Sequence, residues 1–200
     1  MTMNKMKSFA FGTIIFVVSS FSLFAQTSKV GGYLNQYNTD GNKNGLWITD
    51  NEAGYRNVAY YKNGKNHGIS VYYDIRSGYL SLFAEFTEGT PSGHWFVFGD
   101  YGQLIGERYN FKSNDIILHL SSGDICPTTY CYSVYYYDNG VIQQEGEELF
   151  FDLGEIDYWE YGLQKYYNKD GTLKEKRYYS SDGTVTYYDG SDQIIKTYNL

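Results

Sequence analysis

Three glycine-led phrases follow one another at nearly constant spacing, and this periodicity limits the folds open to the chain more than any other feature. Gly45-Leu-Trp47-Ile-Thr-Asp leads to a turn around Gly54 and then to "RNVAYYKNG". Gly68-Ile-Ser-Val-Tyr-Tyr leads to a turn around Gly78 and "LSLFAEFTEG", and Gly93-His-Trp95-Phe-Val-Phe leads to a turn around Gly102 and "LIGERYNF". The leading glycines are 23 and then 25 residues apart. A repeat of that length is one supersecondary unit, which buries its apolar side only against the next unit.

Each unit reads as two strands. Ile69, Val71 and Tyr73 share one face, as do Leu80, Leu82, Ala84 and Phe86, and Leu149, Phe151 and Leu153 alternate with Glu148, Phe150 and Asp152. Trp95-Phe-Val-Phe98 is apolar throughout, which predicts cover on both sides. Tyrosine doublets precede turns in "AYYKNGKNHG" (59–68), "VYYYDNG" (134–140), "KYYNKDG" (165–171), "RYYSSDG" (177–183) and "TYYDG" (186–190). Side chains alternate along a strand, so the two rings of each doublet point to opposite faces. Asn63-Gly64, Asn139-Gly140, Asp170-Gly171 and Asp182-Gly183 are dipeptides that allow the positive φ of tight hairpins. With 24 tyrosines, 22 glycines and 2 prolines, the chain suits a half-buried pleated surface. The expected fold is all-β: consecutive antiparallel β-hairpins in an elongated repeat sheet. Its blocks are residues 26–112 and 135–200, joined by a linking insertion over 113–134 that carries a cysteine loop.

"NQYNTDGNKNGLWI" (35–48), "YYKNGKNHG" (60–68) and "SGHWFVFGDYGQLIGE" (92–107) resemble the MORN-variant repeat proteins (membrane occupation and recognition nexus), in particular the exported group labelled YwqK-like antitoxins. The resemblance covers about 33–110 well and 135–198 more loosely. It implies serial hairpins in a MORN-like sheet, and scaffolding or partner binding rather than chemistry, with a toxin as one kind of partner. It supplies no catalytic residues.

The first 25 residues differ from the rest. Lys5 and Lys7 precede an apolar run from Phe9 to Phe24, and Ala25 precedes a polar region. This reads as a secretory signal cleaved after Ala25, which predicts a periplasmic, cell-surface or secreted protein. Without Lys5 and Lys7 the chain has 14 basic against 23 acidic residues, a net charge of −9. Such a chain repels phosphate, so neither nucleic acid nor an anionic membrane surface is an expected partner. Cys126 and Cys131 in "CPTTYC" are expected to close a tight disulfide loop after export.

No catalytic set assembles from the sequence. His67 and His94 flank leading glycines, which places them near turns; they and His119 lack metal-ligand spacing. There is no G-x-S-x-G elbow and no phosphate-cradling glycine loop. No metal, cofactor or enzymatic activity is expected. The stretch 145–160 holds Glu145, Glu147, Glu148, Asp152, Glu155, Asp157 and Glu160 without a base. It reads as the solvated face of a hairpin, with calcium or a basic partner as the functional alternative. Trp47 and Trp95 each sit two residues after a leading glycine and read as packing residues. A single-layer sheet cannot bury both faces, so Trp47, Tyr60, Tyr61, Tyr72, Trp95, Trp159, Tyr166 and Tyr178 are also the candidate aromatic contact surface. The functional expectation is an exported interaction or scaffolding module for a protein partner, with a glycan as the alternative ligand.

Overall fold

A computed structural model describes residues 33–119, 125–152 and 156–199. The expected signal segment and its cleavage point lie outside the described residues. The chain forms β1 (Gln36–Tyr37), β2 (Lys43–Asp50), β3 (Tyr55–Lys62), β4 (Lys65–Asp74), β5 (Leu80–Thr87), β6 (Thr90–Phe98), β7 (Leu104–His119), β8 (Ile125–Tyr136), β9 (Ile142–Asp152), β10 (Ile156–Tyr167), β11 (Leu173–Tyr179), β12 (Thr184–Tyr188) and β13 (Ile194–Asn199). All thirteen lie in one antiparallel sheet whose spatial order is the order of the sequence. Among the described residues there is no helix, so the chain is an all-β protein of consecutive hairpins. Residues 113–119 and 125–134 belong to sheet: they complete β7 and β8, and β7 runs through 112 without ending there, with register shifts on either side of it.

Two kinds of turn make the hairpins. Asn63 and Gly64 both take positive φ, 51° and 81°, and close a two-residue loop between paired Lys62 and Lys65, as the sequence predicts. Glu88-Gly89 makes the same loop without the usual asparagine or aspartate. At Asn139-Gly140, Asp170-Gly171 and Asp182-Gly183 only the glycine has positive φ, and its amide donates to the carbonyl three residues back, on Tyr137, Asn168 and Ser180. These are wider turns than expected. Their Asn or Asp side chain instead accepts the amide of the residue after the glycine, Val141, Thr172 or Thr184, which favours an ordinary right-handed backbone at that position.

The leading glycines are not turn residues. Gly68 and Gly93 lie inside β4 and β6, each at a register shift against the preceding strand, so His67 and His94 are strand residues beside bulges. Gly93 has φ 63°, and a Cβ there would come within 1.9 Å of Glu85 Oε2. Gly162 in β10, with φ 62°, would meet Glu147 Oε2 at 2.0 Å. In both places a bulge without a side chain makes room for a carboxylate from the neighbouring strand.

Register places one row of residues across the whole sheet on a common face: Trp47, Ala59, Ser70 and Ala84, then past the Gly93 bulge Trp95, Arg108, Ser133, Gly146, Gln164, Arg177, Tyr187 and Lys196. Each indole N–H in the row donates to a backbone carbonyl, Trp47 to Gln36 at 3.1 Å and Trp95 to Glu85 at 2.9 Å. The rings of Trp95 on β6 and Phe150 on β9 are 5.5 Å apart, and the Arg108 guanidinium on β7 lies 3.5 Å from the Tyr158 ring on β10. Three strand spacings in a flat sheet would be about 14 Å. The sheet therefore curls over this face at β6–β10, and Ala84, Phe86, Trp95 and Phe150 form its buried core. On the opposite face Leu149 and Phe151 pack with Ile116, Tyr130 and Tyr161. Cover on both sides of Trp95–Phe98 does not occur among the described residues: Trp95 is buried, but Phe96 and Phe98 are half-buried, because no described element forms a second layer over the outer face.

Candidate binding surface

The eight candidate aromatic residues divide by burial. Trp47 and Trp95 are buried, which removes them from any contact surface; both are core, held by a ring neighbour and a carbonyl acceptor. Tyr60 and Tyr61 point to opposite faces, Tyr60 exposed and Tyr61 half-buried beneath the Lys43 ammonium at 4.8 Å. Tyr72 is half-buried. Tyr166 is also half-buried, its hydroxyl 2.7 Å from Glu160 Oε1 and 3.2 Å from the Tyr179 hydroxyl. Trp159 and Tyr178 are exposed at 46% and 44%.

The acidic stretch is not a solvated face. Glu148 is buried, and its carboxylate accepts from Arg108 Nε at 3.0 Å and from the Tyr135 hydroxyl at 2.6 Å. Arg108 Nη2 also donates to that hydroxyl at 2.5 Å. Burial disfavours the charged guanidinium, but Tyr158, Glu148 and Tyr135 outweigh it and raise the arginine's pKa. On the outer face Glu145 takes Lys165 at 3.0 Å and the Tyr167 hydroxyl at 2.7 Å. Burial pushes its pKa up, while those donors hold it below the usual carboxylate value. Burial and Glu145 together push the Tyr167 hydroxyl up to about 12. Glu160 accepts from Gln144 at 2.6 Å as well as from Tyr166. At the described carboxylates Glu145, Glu148 and Glu160, tyrosines from the same and adjoining strands thus take the place that solvent was expected to hold. The side chains of Asp152, Glu155 and Asp157 lie outside the described residues.

The cysteine loop is also corrected. Cys126 and Cys131 both fall on extended β8, and five residues of strand separate Cα atoms by about 17 Å, against less than about 7 Å for a disulfide. Cys131 is a buried free thiol, and burial pushes it up to about 12, so it is inert rather than redox-active. His94 stacks on Phe96 and its Nε2 lies 2.9 Å from Glu107. The Tyr136 hydroxyl donates to the other oxygen of that carboxylate. Hydrogen bonding from His94, against burial, lowers the pKa of Glu107. The side chain of His119 lies outside the described residues.

Exposed aromatic side chains occur in both halves, Tyr60, Tyr79 and Tyr101 among them, but in the C-terminal half they adjoin an apolar recess. Trp159, Tyr161 and Leu163 project to one side of β10, and Tyr178 on β11 is paired with Leu163. The first half of β10 extends past the end of β11, leaving a recess against the β11–β12 turn. This recess has a volume of about 640 Å³, with Ile116, Leu149, Trp159 and Val185 among its apolar lining and Glu160 also in its wall. A second recess of about 620 Å³ has a mixed lining that includes Ile105, Tyr135, Tyr136, Gln144, Tyr158 and Glu160.

Sequence reasoning singled out Trp159 and Tyr178 but missed the recess, because β10 outrunning β11 is a matter of strand lengths. It also missed Arg108, whose only signal was a lone cation on the core-facing phase of an otherwise apolar alternation. No family model matches the chain, and no curated protein matches it in sequence.

Proposed function

We propose that the chain is an exported, non-enzymatic interaction module that holds a partner protein on the C-terminal half of its sheet. The observation that carries this reading is the exposed strip Trp159–Leu163–Tyr178 running into the apolar 640 Å³ recess. Large rings beside an apolar depression are what an interface core uses. The net charge of −9 without Lys5 and Lys7 and the presence of Glu160 in the recess wall favour a partner segment that brings apolar side chains flanked by lysine or arginine. The toxin-directed role implied by the MORN-variant resemblance is one instance of such binding. Photo-crosslinkers at 159 and, as a control, at Tyr101, exposed in the β6–β7 turn, test it in envelope fractions. A reproducible protein adduct at 159 alone is expected. No adduct, or equal adducts at both positions, overturns the reading.

A second reading, carbohydrate binding, is favoured by the second recess, where tyrosine rings, glutamine amides and carboxylates converge. Titration of intrinsic fluorescence with polysaccharides checks it, and no response to any of them removes it.

A further inference from the structure

We infer that β13 pairs antiparallel with β13 of a second copy, the two-fold axis passing through Thr197. Among the described residues no strand lies on the outer side of β13, so half of its backbone N–H and C=O groups face outward. All six of its residues are exposed, with Ile194 at 65% and Ile195 at 60%. The usual guard of such an edge is an outward lysine. Here the Lys196 ammonium is drawn inward, 4.1 Å from the Tyr187 ring centre.

The partner follows from chemistry and register. At the other end of the described sheet β1 has two residues, and Asn35 already takes outward groups of β2, its amide donating to the Leu46 carbonyl and its Oδ1 accepting from the Ile48 amide, so among the described residues that end presents no free edge to match β13. In two-fold pairing, opposed residues must share a face, so the axis falls on a residue. An axis at Lys196 would oppose two ammonium groups. An axis at Thr197 opposes the two threonines and places Lys196 of each copy against Tyr198 of the other. That arrangement extends a row already present, in which Arg177 lies 4.9 Å and Lys196 4.1 Å from the Tyr187 ring. The next member of the row would be the ring of Tyr198 from the second copy. Cation and ring then alternate across the junction.

The test uses protein purified after expression from its full sequence. Sedimentation equilibrium is expected to give a dimer at roughly 100 µM, a working concentration for edge-strand pairing, and Thr197→Pro, which removes a central backbone donor, is expected to raise the dissociation constant at least about tenfold. Under mild oxidation Thr197→Cys is expected to form an intermolecular disulfide, since opposed Cα atoms lie about 4.5–5.5 Å apart. Asn199→Cys, about 13 Å from its own copy in this register, is expected to cross-link no more than wild type. A monomeric wild-type protein, or equal cross-linking by the two cysteine variants, overturns the proposal even if Thr197→Pro fails to fold.

Discussion

The strands β2–β5 and the strands β7–β11 have the same topology and hold together by different means. In β2–β5 the row across the sheet is Trp47, Ala59, Ser70 and Ala84: one large ring, then small residues that let neighbouring backbones carry little side-chain bulk. In β7–β11 the corresponding row is Arg108, Ser133, Gly146, Gln164 and Arg177. There the sheet curls, and the enclosed groups are ionic and tied to tyrosine hydroxyls. A repeat that copies only its hairpins therefore leaves the lateral contact free to vary, and Trp95 stands at the border of the two solutions.

Four experiments sharpen this contrast. Trp95→Ala is expected to have the largest effect, about 3–5 kcal/mol in urea unfolding, because a buried ring that touches Phe86, Phe111 and Phe150 is removed. Arg108→Met comes next, at about 3 kcal/mol, since it strands a buried Glu148 carboxylate. Adding Glu148→Leu should recover most of that loss. A double variant no better than the single one would refute the ionic account of this half. Gly162→Ala should cost about 1–3 kcal/mol from the clash with Glu147 and the strained φ, and Glu147→Ala in the same chain should relieve part of it. Tyr178→Ala, on the open surface, should stay within about 0.5 kcal/mol of wild type in the same assay.

The pH response should be carried mainly by β8 and β10, although burial also raises the hydroxyls of Tyr61 on β3 and Tyr73 on β4. Tyr130, Tyr132, Tyr135, Tyr136, Tyr166 and Tyr167 all have pKa values raised above the usual 10.0, with burial the largest cause. A raised pKa means that the folded state holds its proton more tightly than the unfolded one. Stability is then intact below pH 10 and falls as pH rises from there toward the folded values. Tyrosinate absorbance and circular dichroism should change together, in one steep transition above pH 10. Gradual tyrosine titration with the sheet intact would show that the hydroxyls are not held as described. Glu107 and Glu145 have lowered values, so their contribution is lost as pH falls below 4.5.

Much of the sheet was readable from the chain because its determinants are local. Alternation fixed the strands around Ile69–Tyr73 and Leu80–Phe86, and Asn63-Gly64 fixed a two-residue turn. The leading glycines were visible as a period, but their place at bulges inside strands was not, since a bulge and a turn demand the same backbone freedom. What escaped was set by contact between strands distant in sequence. Glu148 lies 40 residues from Arg108, and nothing in "EGEELFFDLGEIDYWE" distinguishes it from its half-buried acidic neighbours until the sheet curls. Cys126 and Cys131 looked like a loop because their sequence separation is short, whereas the separation that matters is measured along an extended strand.

Spatial order that copies chain order has a further consequence for how such a molecule can change length. Inserting or excising one whole hairpin among β2–β5 leaves every remaining strand running in its original direction beside a like neighbour, and alters the sheet's width by about 10 Å. A single strand cannot be gained or lost this way without reversing everything downstream. The same edit between β6 and β10 would sever partners three strands apart. Growth of this architecture by duplication is thus confined to its flatter arm, while the curled portion behaves as an indivisible piece.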